Sequence, residues 1–230
     1  VQLQAWQDLV RVLTHEIMNS ITPVASLSRT AASLVDDAIA GPDPLSGASL
    51  ADVRSAVETI ARRSEGLMHF VQAYRELTRL PPPEKQLLRL SLLFQRVEEL
   101  MISQWQDKPV QLRVEVEPAS LEINADAGML EQVLLNLLRN AGQAVAGSDD
   151  GRVILRGRLS RRGRVIVEVI DNGPGIPEEI REKVFVPFFT TRKEGSGVGL
   201  ALTRQVMMRH GGSVAIGEGE HGGARLSLTF

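Results

Sequence analysis

The 230-residue chain carries 26 basic and 28 acidic residues, a net charge of −2, and 43% of its residues are hydrophobic. These values predict a globular protein of one large or two small domains, and they exclude the charge pattern of a nucleic-acid or membrane-surface binder. The absence of cysteine excludes disulfides and thiolate chemistry and favours a reducing compartment, the cytoplasm.

The start and the hydropathy of the chain bear on its location. No signal peptide is recognisable, and no apolar run approaches the roughly 20 residues that a membrane span needs. The first ten residues, VQLQAWQDLV, already have a helical pattern. We therefore expect a cytoplasmic fragment without direct membrane contact, whose preceding part could hold a sensor or an anchor.

The first part of the chain has the pattern of two long helices. From residue 3 to 38 apolar residues recur in steps of three and four, with Ser20 as the one polar member of the seam. The stretch AGPDPLSGAS (40–49) predicts a turn, and a second apolar stripe continues until PPP at 81–83. The stripe residues are Val10, Leu13, Ile17, Val24, Leu27, Ala31, Leu34 and Ala38, then Val53, Val57, Ile60, Leu67, Val71 and Tyr74. An α-helical hairpin over residues 1–82 is the prediction.

The two stripes also predict an association state. Two helices cannot bury both stripes completely between themselves, and a second hairpin would complete a four-helix bundle. We expect a homodimer on this ground. The alternative is that the stripes pack on the second half of the same chain.

Residues 83–230 have the pattern of a mixed domain. Segments with alternating and β-branched residues predict strands, and segments with a period near 3.6 predict helices. The predicted strands are 110–117, 152–159 and 164–170, the predicted helices are 90–103 and 126–145, and the tail 211–230 is a predicted hairpin. The predicted fold class is an α+β two-layer sandwich, with one mixed or antiparallel sheet under helices.

Two asparagines share one face of the predicted helix 126–145. Asn136 and Asn140 are four residues apart, and leucines fill much of the remaining helix. Two amides aimed at one place suit an oxygen-rich ligand or a hydrated Mg²⁺ ion. The alternative interpretation is a pair of ordinary surface asparagines.

A carboxylate follows the strand predicted at 164–170. In IDNGPGIP, Asp171 precedes Gly173 and Gly175. A carboxylate buried at a strand end needs a donor, and an exocyclic amine such as that of adenine would serve, with the glycines letting the backbone approach the ring. The alternative is a common Asp-Asn-Gly turn.

A glycine-rich segment precedes the apolar helix pattern LALTRQVMMRH. It contains Gly195, Gly197 and Gly199, and free N–H groups at a helix start form an anion site that suits polyphosphate. It is not a Walker loop, because no Gly-Lys-Ser/Thr follows. A literal G-x-G-x-x-G at 217–222 leads into a strand and is interpreted as a hairpin turn.

The segment VFVPFFTTRKE (184–194) lies just before these glycines. Its aromatic part is followed by hydroxyl and basic side chains, which is typical of a movable lid over phosphates. The residues concerned are Phe185, Phe188, Phe189, Thr190, Thr191, Arg192 and Lys193. The alternative places the three phenylalanines in the core.

The order of these motifs is more specific than any one of them. An asparagine pair, Asp-x-Gly-x-Gly, Phe-Phe and Gly-x-Gly-x-Gly-Leu follow one another over about 65 residues. They closely resemble the N, G1, F and G2 boxes of the ATPase fold that sensor histidine kinases share with gyrase-type topoisomerases, mismatch-repair ATPases and Hsp90 chaperones. With the hairpin in front, the chain resembles a sensor histidine kinase catalytic core, nearest to the nitrogen-regulation type.

The resemblance implies a division of labour. Residues 1–82 would be the dimerisation and histidine-phosphotransfer hairpin, and residues 83–230 the catalytic domain of GHKL type that binds ATP and Mg²⁺. The implied nucleotide contacts are Asn136, Asn140, Asp171, Gly173, Gly175, Thr191, Arg192, Lys193, Gly195, Gly197, Gly199 and Leu200. Asp171 would bind the adenine amine and Asn140 the Mg²⁺ ion, with Asn136 as a second polar ligand or water holder.

The stretch LTHEIMNSITP (13–23) supplies the implied acceptor. His15 falls at position f of the seam, opposite the buried stripe, and its neutral ring is populated near neutral pH. The resemblance implies that His15 attacks the γ-phosphate of ATP, that Glu16 takes its Nδ1 proton or hydrogen bond, and that Asn19 orients water for a phosphatase reaction on a response regulator. The alternative for His15 and Glu16 is a solvated surface residue, and the alternative for Asn19 is a structural role.

The histidine region departs from its relatives in one respect. The nitrogen-type kinases commonly have Asn-Pro here, whereas Ser20 follows Asn19 and the proline comes at Pro23. We expect the helix to bend near Pro23.

Three functions remain open from the sequence. A protein-histidine kinase of two-component signalling is the first, and a nucleotide-binding scaffold without transfer is the second. The third, an ATP-hydrolysing clamp, lacks a water-activating glutamate at Asn136.

Overall fold

The computed structural model describes residues 18, 21–35, 47–78, 80–105, 110–192, 195, 197–220 and 222–230. The chain divides into two compact units, Val1–Arg75 and Glu76–Phe230. His15, Glu16, Asn19 and Lys193 lie outside the described residues.

The described part of the first unit is helical. Helix α1 covers 21–35, and helix α2 covers Gly47–Thr78. α2 therefore begins inside the predicted turn 40–49, of which residues 40–46 lie outside the described part. It ends shortly before three prolines, which cannot donate the backbone hydrogen bonds of a helix. Pro23 lies within α1, and the predicted bend stays a prediction because residues 19–20 are also outside the described part.

The apolar stripes of these helices are only partly buried. Of the stripe residues, Ala31 is buried, but Val57 and Val71 are 52% and 43% exposed. Beside the stripes, Ala56 is buried, whereas Met18, Ile21, Val35 and Met68 are exposed. Across the described residues, no helix has both the length and the hydropathy of a membrane span.

The second unit alternates strands and helices. Its elements are β1 (Gln86–Arg89), α3 (Leu90–Gln104), β2 (Val110–Glu117), β3 (Glu122–Ala125), α4 (Ala127–Val145), β4 (Gly151–Leu159), β5 (Val165–Asp171), α5 (Gly199–His210), β6 (Ser213–Glu218) and β7 (Ala224–Thr229). Two 3₁₀ turns, Glu178–Ile180 and Lys183–Phe185, lie between β5 and α5. The predicted helices and long strands are thus present within one or two residues of their expected bounds.

The main sheet is mixed. Its strand order is β2-β4-β5-β7-β6, with β2 and β4 parallel and the other neighbours antiparallel. The predicted tail hairpin is the β6–β7 pair. The expectation of one sheet was incomplete, because β1 and β3 form a separate two-stranded antiparallel sheet. Each of these strands has only four residues, too few to give a readable alternation.

The helices form the second layer of the sandwich. α4 contacts β4 and β5, while α3 packs on β2 and α5 on β6, and α4 also contacts both other helices. The core residues with essentially no exposed surface come from both layers: Phe94, Leu134, Leu137, Leu138 and Met207 from the helices, and Leu155 and Leu228 from the sheet. The predicted α+β sandwich is confirmed by this packing.

The start of α4 is fastened to the end of α5. Asp126 caps α4 by accepting the Met129 N–H at 3.0 Å, and its other oxygen accepts the Glu84 N–H at 2.9 Å. These bonds, that to Met129 first, hold the pKa of Asp126 below its ordinary value. The Asp126 N–H donates to His210 Nε2 at 3.0 Å, so the His210 proton sits on Nδ1, which donates to Val206 O at 2.8 Å. Both helices that border the candidate site are thereby fixed relative to each other.

Candidate functional site

A cavity of about 430 Å³ opens between α4, the end of β5 and the start of α5. It brings together residues from all four sequence motifs. The predicted site residues that line it are Asn136, Asn140, Asp171, Gly175, Thr191, Arg192, Gly195, Gly197, Gly199 and Leu200. Gly173 does not line it, and His15, Glu16, Asn19 and Lys193 lie outside the described residues.

Asp171 is a buried carboxylate at the carboxyl end of β5. Only 4% of its surface is exposed, and Oδ1 accepts the N–H of Gly173 at 2.9 Å and that of Ala224 at 3.2 Å. Burial raises the pKa of Asp171 above its ordinary value, and the two N–H groups and the Arg192 charge offset this only in part. Among the described residues, no hydrogen bond is made to Oδ2, which leaves this oxygen for a donor from a ligand.

Gly173 lies beside the Asp171 carboxylate. Its N–H donates to Asp171 Oδ1, and the approach of its backbone to a ligand stays a prediction. Its Cα lies so close to α4 that a Cβ there would stand 2.9 Å from Ala144 O. Gly175 alone of the two borders the cavity.

Asn136 and Asn140 lie on the same face of α4, as the helical spacing predicted. The Asn136 amide lies over the first turn of α5, where a Cβ on Gly199 would collide with it. Its Nδ2 donates to Thr203 Oγ1 at 3.3 Å, and that hydroxyl donates to Gly199 O at 2.9 Å. Asn136 therefore joins α4 to α5, while Asn140 borders the cavity one turn further on.

The segment between the second 3₁₀ turn and α5 is closed at its base by backbone contacts. The Phe188 N–H donates to Gly197 O at 2.8 Å. Both residues have positive φ, 67° and 65°, and a Cβ on Gly197 would lie 2.5 Å from Phe188 C. Only glycine tolerates this approach, which explains the middle glycine of the motif.

The three phenylalanines of the segment 184–194 do not all have the same environment: one is a core residue, and the other two are only partly buried. Phe185 is buried and lies under the Arg204 guanidinium, 5.5 Å from the ring centroid, as expected for a core residue. Phe188 and Phe189 are half-buried, and Phe189 borders the cavity.

Arg192 reaches across the opening to α4. Its Nη2 donates to Asn140 O at 3.2 Å, and its Nη1 donates to Gln143 Oε1. The Arg192 N–H donates to Thr190 Oγ1 at 3.1 Å, and this hydroxyl donates back to Arg192 O at 3.3 Å. The backbone and the head group of Arg192 are thus both held.

Several lining residues were not predicted from the sequence. Gln143 is one, although it continues the Asn136–Asn140 face by a further step of three, which is a readable signal. Ile176, Ile180 and Val184 form an apolar wall, and their spacing of four is another such signal. Ala224 and Leu226 also line the cavity, but they come from β7, and only the pairing of β7 with β5 places them there.

A mixed sheet under three helices, with a buried carboxylate and the glycines of a helix start lining one cavity, is typical of an ATPase-type domain. Residues 125–230 match the family described as "Histidine kinase-, DNA gyrase B-, and HSP90-like ATPase". The nitrogen regulation protein NtrY of Azorhizobium caulinodans is 29% identical over 98% of this chain and 29% of its own length. The sensory histidine kinase/phosphatase NtrB of Vibrio alginolyticus is 30% identical over 94% of this chain and 59% of its own.

Solved structures show the same fold. The catalytic domain of histidine kinase ThkA is 30% identical, with a TM-score of 0.58 over 64% of this chain and 95% of that domain. ThkA in complex with response regulator protein TrrA is 24% identical, with a TM-score of 0.68 over the whole of this chain and 62% of that one. The chain belongs to the sensor histidine kinase family, and nitrogen-regulation kinases are among its relatives. The chain spans only part of the length of the curated relatives that it matches: 44% of the sensor protein FixL of Bradyrhizobium diazoefficiens, 29% of NtrY and 59% of NtrB.

The Asp171 carboxylate gives a prediction that separates stability from binding. Asp171→Asn keeps an Oδ1 acceptor for the two N–H groups but removes a buried charge. Because folding raises the pKa of Asp171, the native chain loses stability as the pH rises and this carboxylate ionises. The free energy of unfolding of Asp171→Asn should therefore equal or exceed that of the native chain at neutral pH. This difference should disappear in acid, where the native carboxylate is protonated. The affinity of the variant for ATP should fall by roughly 10- to 100-fold, because one hydrogen bond to a charged acceptor is lost.

Denaturant unfolding across pH and calorimetric titration with ATP measure the two effects. Asp149→Asn, at an exposed position between α4 and β4, is the matched control and should change neither. Lower stability of Asp171→Asn at neutral pH, or undiminished ATP affinity, would contradict the assignment.

Proposed function

We propose that this chain is the catalytic core of a protein-histidine kinase, which moves the γ-phosphoryl group of ATP to His15 and from there to an aspartate of a response regulator. The observation that carries the proposal is the cavity of the ATPase fold, where buried Asp171, Asn140 and the glycines before α5 converge. The binding of ATP itself is supported by the family to which residues 125–230 belong.

The proposed nucleotide pose follows the chemistry of the cavity. Asp171 Oδ2 accepts the exocyclic amine of adenine, and the apolar wall of Ile176, Ile180 and Val184 packs against the ring together with Leu226. The phosphates lie toward Gly197, Gly199 and Leu200, where N–H groups at the start of α5 favour an anion. Gly195, Thr191 and Arg192 border the same part of the cavity, and Lys193 follows Arg192 in sequence.

The donor set also fits a Mg²⁺ ion. Mg²⁺ is usually held by one or two protein oxygens together with phosphate oxygens and water, and the Asn140 amide borders the cavity as one such donor. Bound there, the ion would supply charge neutralisation to the triphosphate. Asn136, which is tied to Thr203, carries no carboxylate that could activate water, and this favours transfer to histidine over hydrolysis.

The transfer step is assigned to residues of the first unit. A bond forms between Nε2 of His15 and the γ-phosphorus, the bond from that phosphorus to the bridging oxygen breaks, and ADP leaves. Glu16 takes the Nδ1 proton or its hydrogen bond, which makes the attacking nitrogen more nucleophilic. Asn19 is proposed to orient the water that dephosphorylates the regulator.

A second copy of the chain is the proposed partner of the helices. We assign residues 1–82 to a dimerising hairpin and residues 83–230 to the catalytic domain, in the cytoplasm. The exposure of Val57 and Val71 on the predicted stripe supports a four-helix bundle, because an apolar stripe left in water is costly. The complex of ThkA with TrrA supports a response-regulator receiver domain as the second partner.

Sedimentation equilibrium tests the dimer. The expected mass is twice the 25.2 kDa of one chain. Val71→Glu should shift the protein toward monomer because it places a charge in the apolar interface, whereas Ser55→Glu, at an exposed α2 position outside the stripe, should not. A monomeric native chain at micromolar concentration would overturn this part of the proposal.

Labelling with γ-labelled ATP and Mg²⁺ tests the transfer. The native chain should acquire an acid-labile, alkali-stable label, His15→Gln should acquire none, and His69→Gln, the same change elsewhere in the helical part, should label normally. Absence of label on the native chain would overturn the kinase and favour the scaffold.

With a receiver domain added, Asn19→Ala should label normally but dephosphorylate the regulator more slowly.

A further inference from the structure

Gln143 has no role in the proposed chemistry, yet its amide oxygen holds the head group of Arg192. The guanidinium bridges two acceptors on α4, Gln143 Oε1 and Asn140 O. Thr190 fixes the Arg192 backbone at the same time. An arginine side chain that is anchored at both ends has little rotamer entropy left to lose when a ligand binds.

Both acceptors of the Arg192 guanidinium are neutral, so neither of them cancels its positive charge. An arginine held by a carboxylate has its charge largely cancelled, whereas one held by an amide and a carbonyl oxygen keeps it. The charge of Arg192 is felt inside the cavity, since it acts on the Asp171 carboxylate. Arg192 and Gln143 both border the cavity, and Arg192 is bonded there to Asn140 as well.

We infer that Gln143 is a positioning residue that presents the charged head of Arg192 to the phosphate chain of a nucleoside triphosphate. The inference rests on the proposed function, because it deepens the assignment of this cavity to ATP. It also explains the residue type. A glutamate at position 143 would neutralise Arg192 and repel phosphate, and an alanine would leave Arg192 with Asn140 O alone.

Binding of ATP, ADP and adenosine to the full chain, measured by calorimetric titration with Mg²⁺ present, tests the inference. Gln143→Glu should weaken ATP binding about tenfold or more, and less so in high salt, while Gln143→Ala should weaken it about threefold. Adenosine should bind all variants equally, because it carries no phosphate. Gln132→Glu, which adds the same charge to an exposed position of α4, is the matched control and should bind ATP like the native chain.

A double-mutant cycle separates positioning from direct contact. In an Arg192→Ala background, Gln143→Ala should cause no further loss of ATP affinity, because its only effect passes through Arg192. An equal loss in both backgrounds, an equal loss for adenosine, or ATP that binds the native chain no more tightly than adenosine would each overturn the inference. Failure of the proposed function would give a different result. ATP would then bind more tightly than adenosine in the titration, but His15 would acquire no label from γ-labelled ATP.

Discussion

Asp171 is costly to bury, because its carboxylate leaves water at the end of a strand with only 4% of its surface exposed. Two backbone N–H groups compensate, one from Gly173 in the following turn and one from Ala224 on the neighbouring strand. That compensation is incomplete, since the pKa of Asp171 is still raised by burial. A buried acceptor with one oxygen left over is a binding site for a donor, and in the proposed complex the donor is the adenine amine.

The surrounding structure is organised so that this acceptor can exist. The pairing of β7 with β5 brings Ala224 beside Asp171. β7 is the second strand of the β6–β7 hairpin, which follows α5 in the chain. α4 lies across these strands and is joined to α5 twice: Asn136, near the middle of α4, bonds Thr203, and Asp126, at its start, bonds His210. The Asp171 side and the α5 side of the cavity are consequently parts of one frame, and the anchored Arg192 adds a positive charge to it.

Much of this could be predicted from the sequence, and the failures have physical reasons. The amphipathic period gave α3 and α4, alternation gave β2, β4 and β5, and the glycine spacing indicated the start of α5 because each signal is local. β1 and β3 were missed because four residues carry too little alternation. The bond from the Gly173 N–H to Asp171 could not be predicted, because an N–H that serves a carboxylate and one that serves a ligand look alike in sequence. Leu226 could not have been found, since only strand order places it at the cavity. Gln143 could have been, by continuing the asparagine face one step.

The central claim is that a buried carboxylate selects the exocyclic amine of adenine. Competition between ATP and inosine triphosphate for the native chain tests it most directly, because the two nucleotides differ at the purine 6-position, where one carries an amine and the other a carbonyl oxygen. ATP should bind at least about tenfold more tightly, since a carbonyl facing Asp171 loses a charge-assisted hydrogen bond. Equal affinity for the two nucleotides would contradict it.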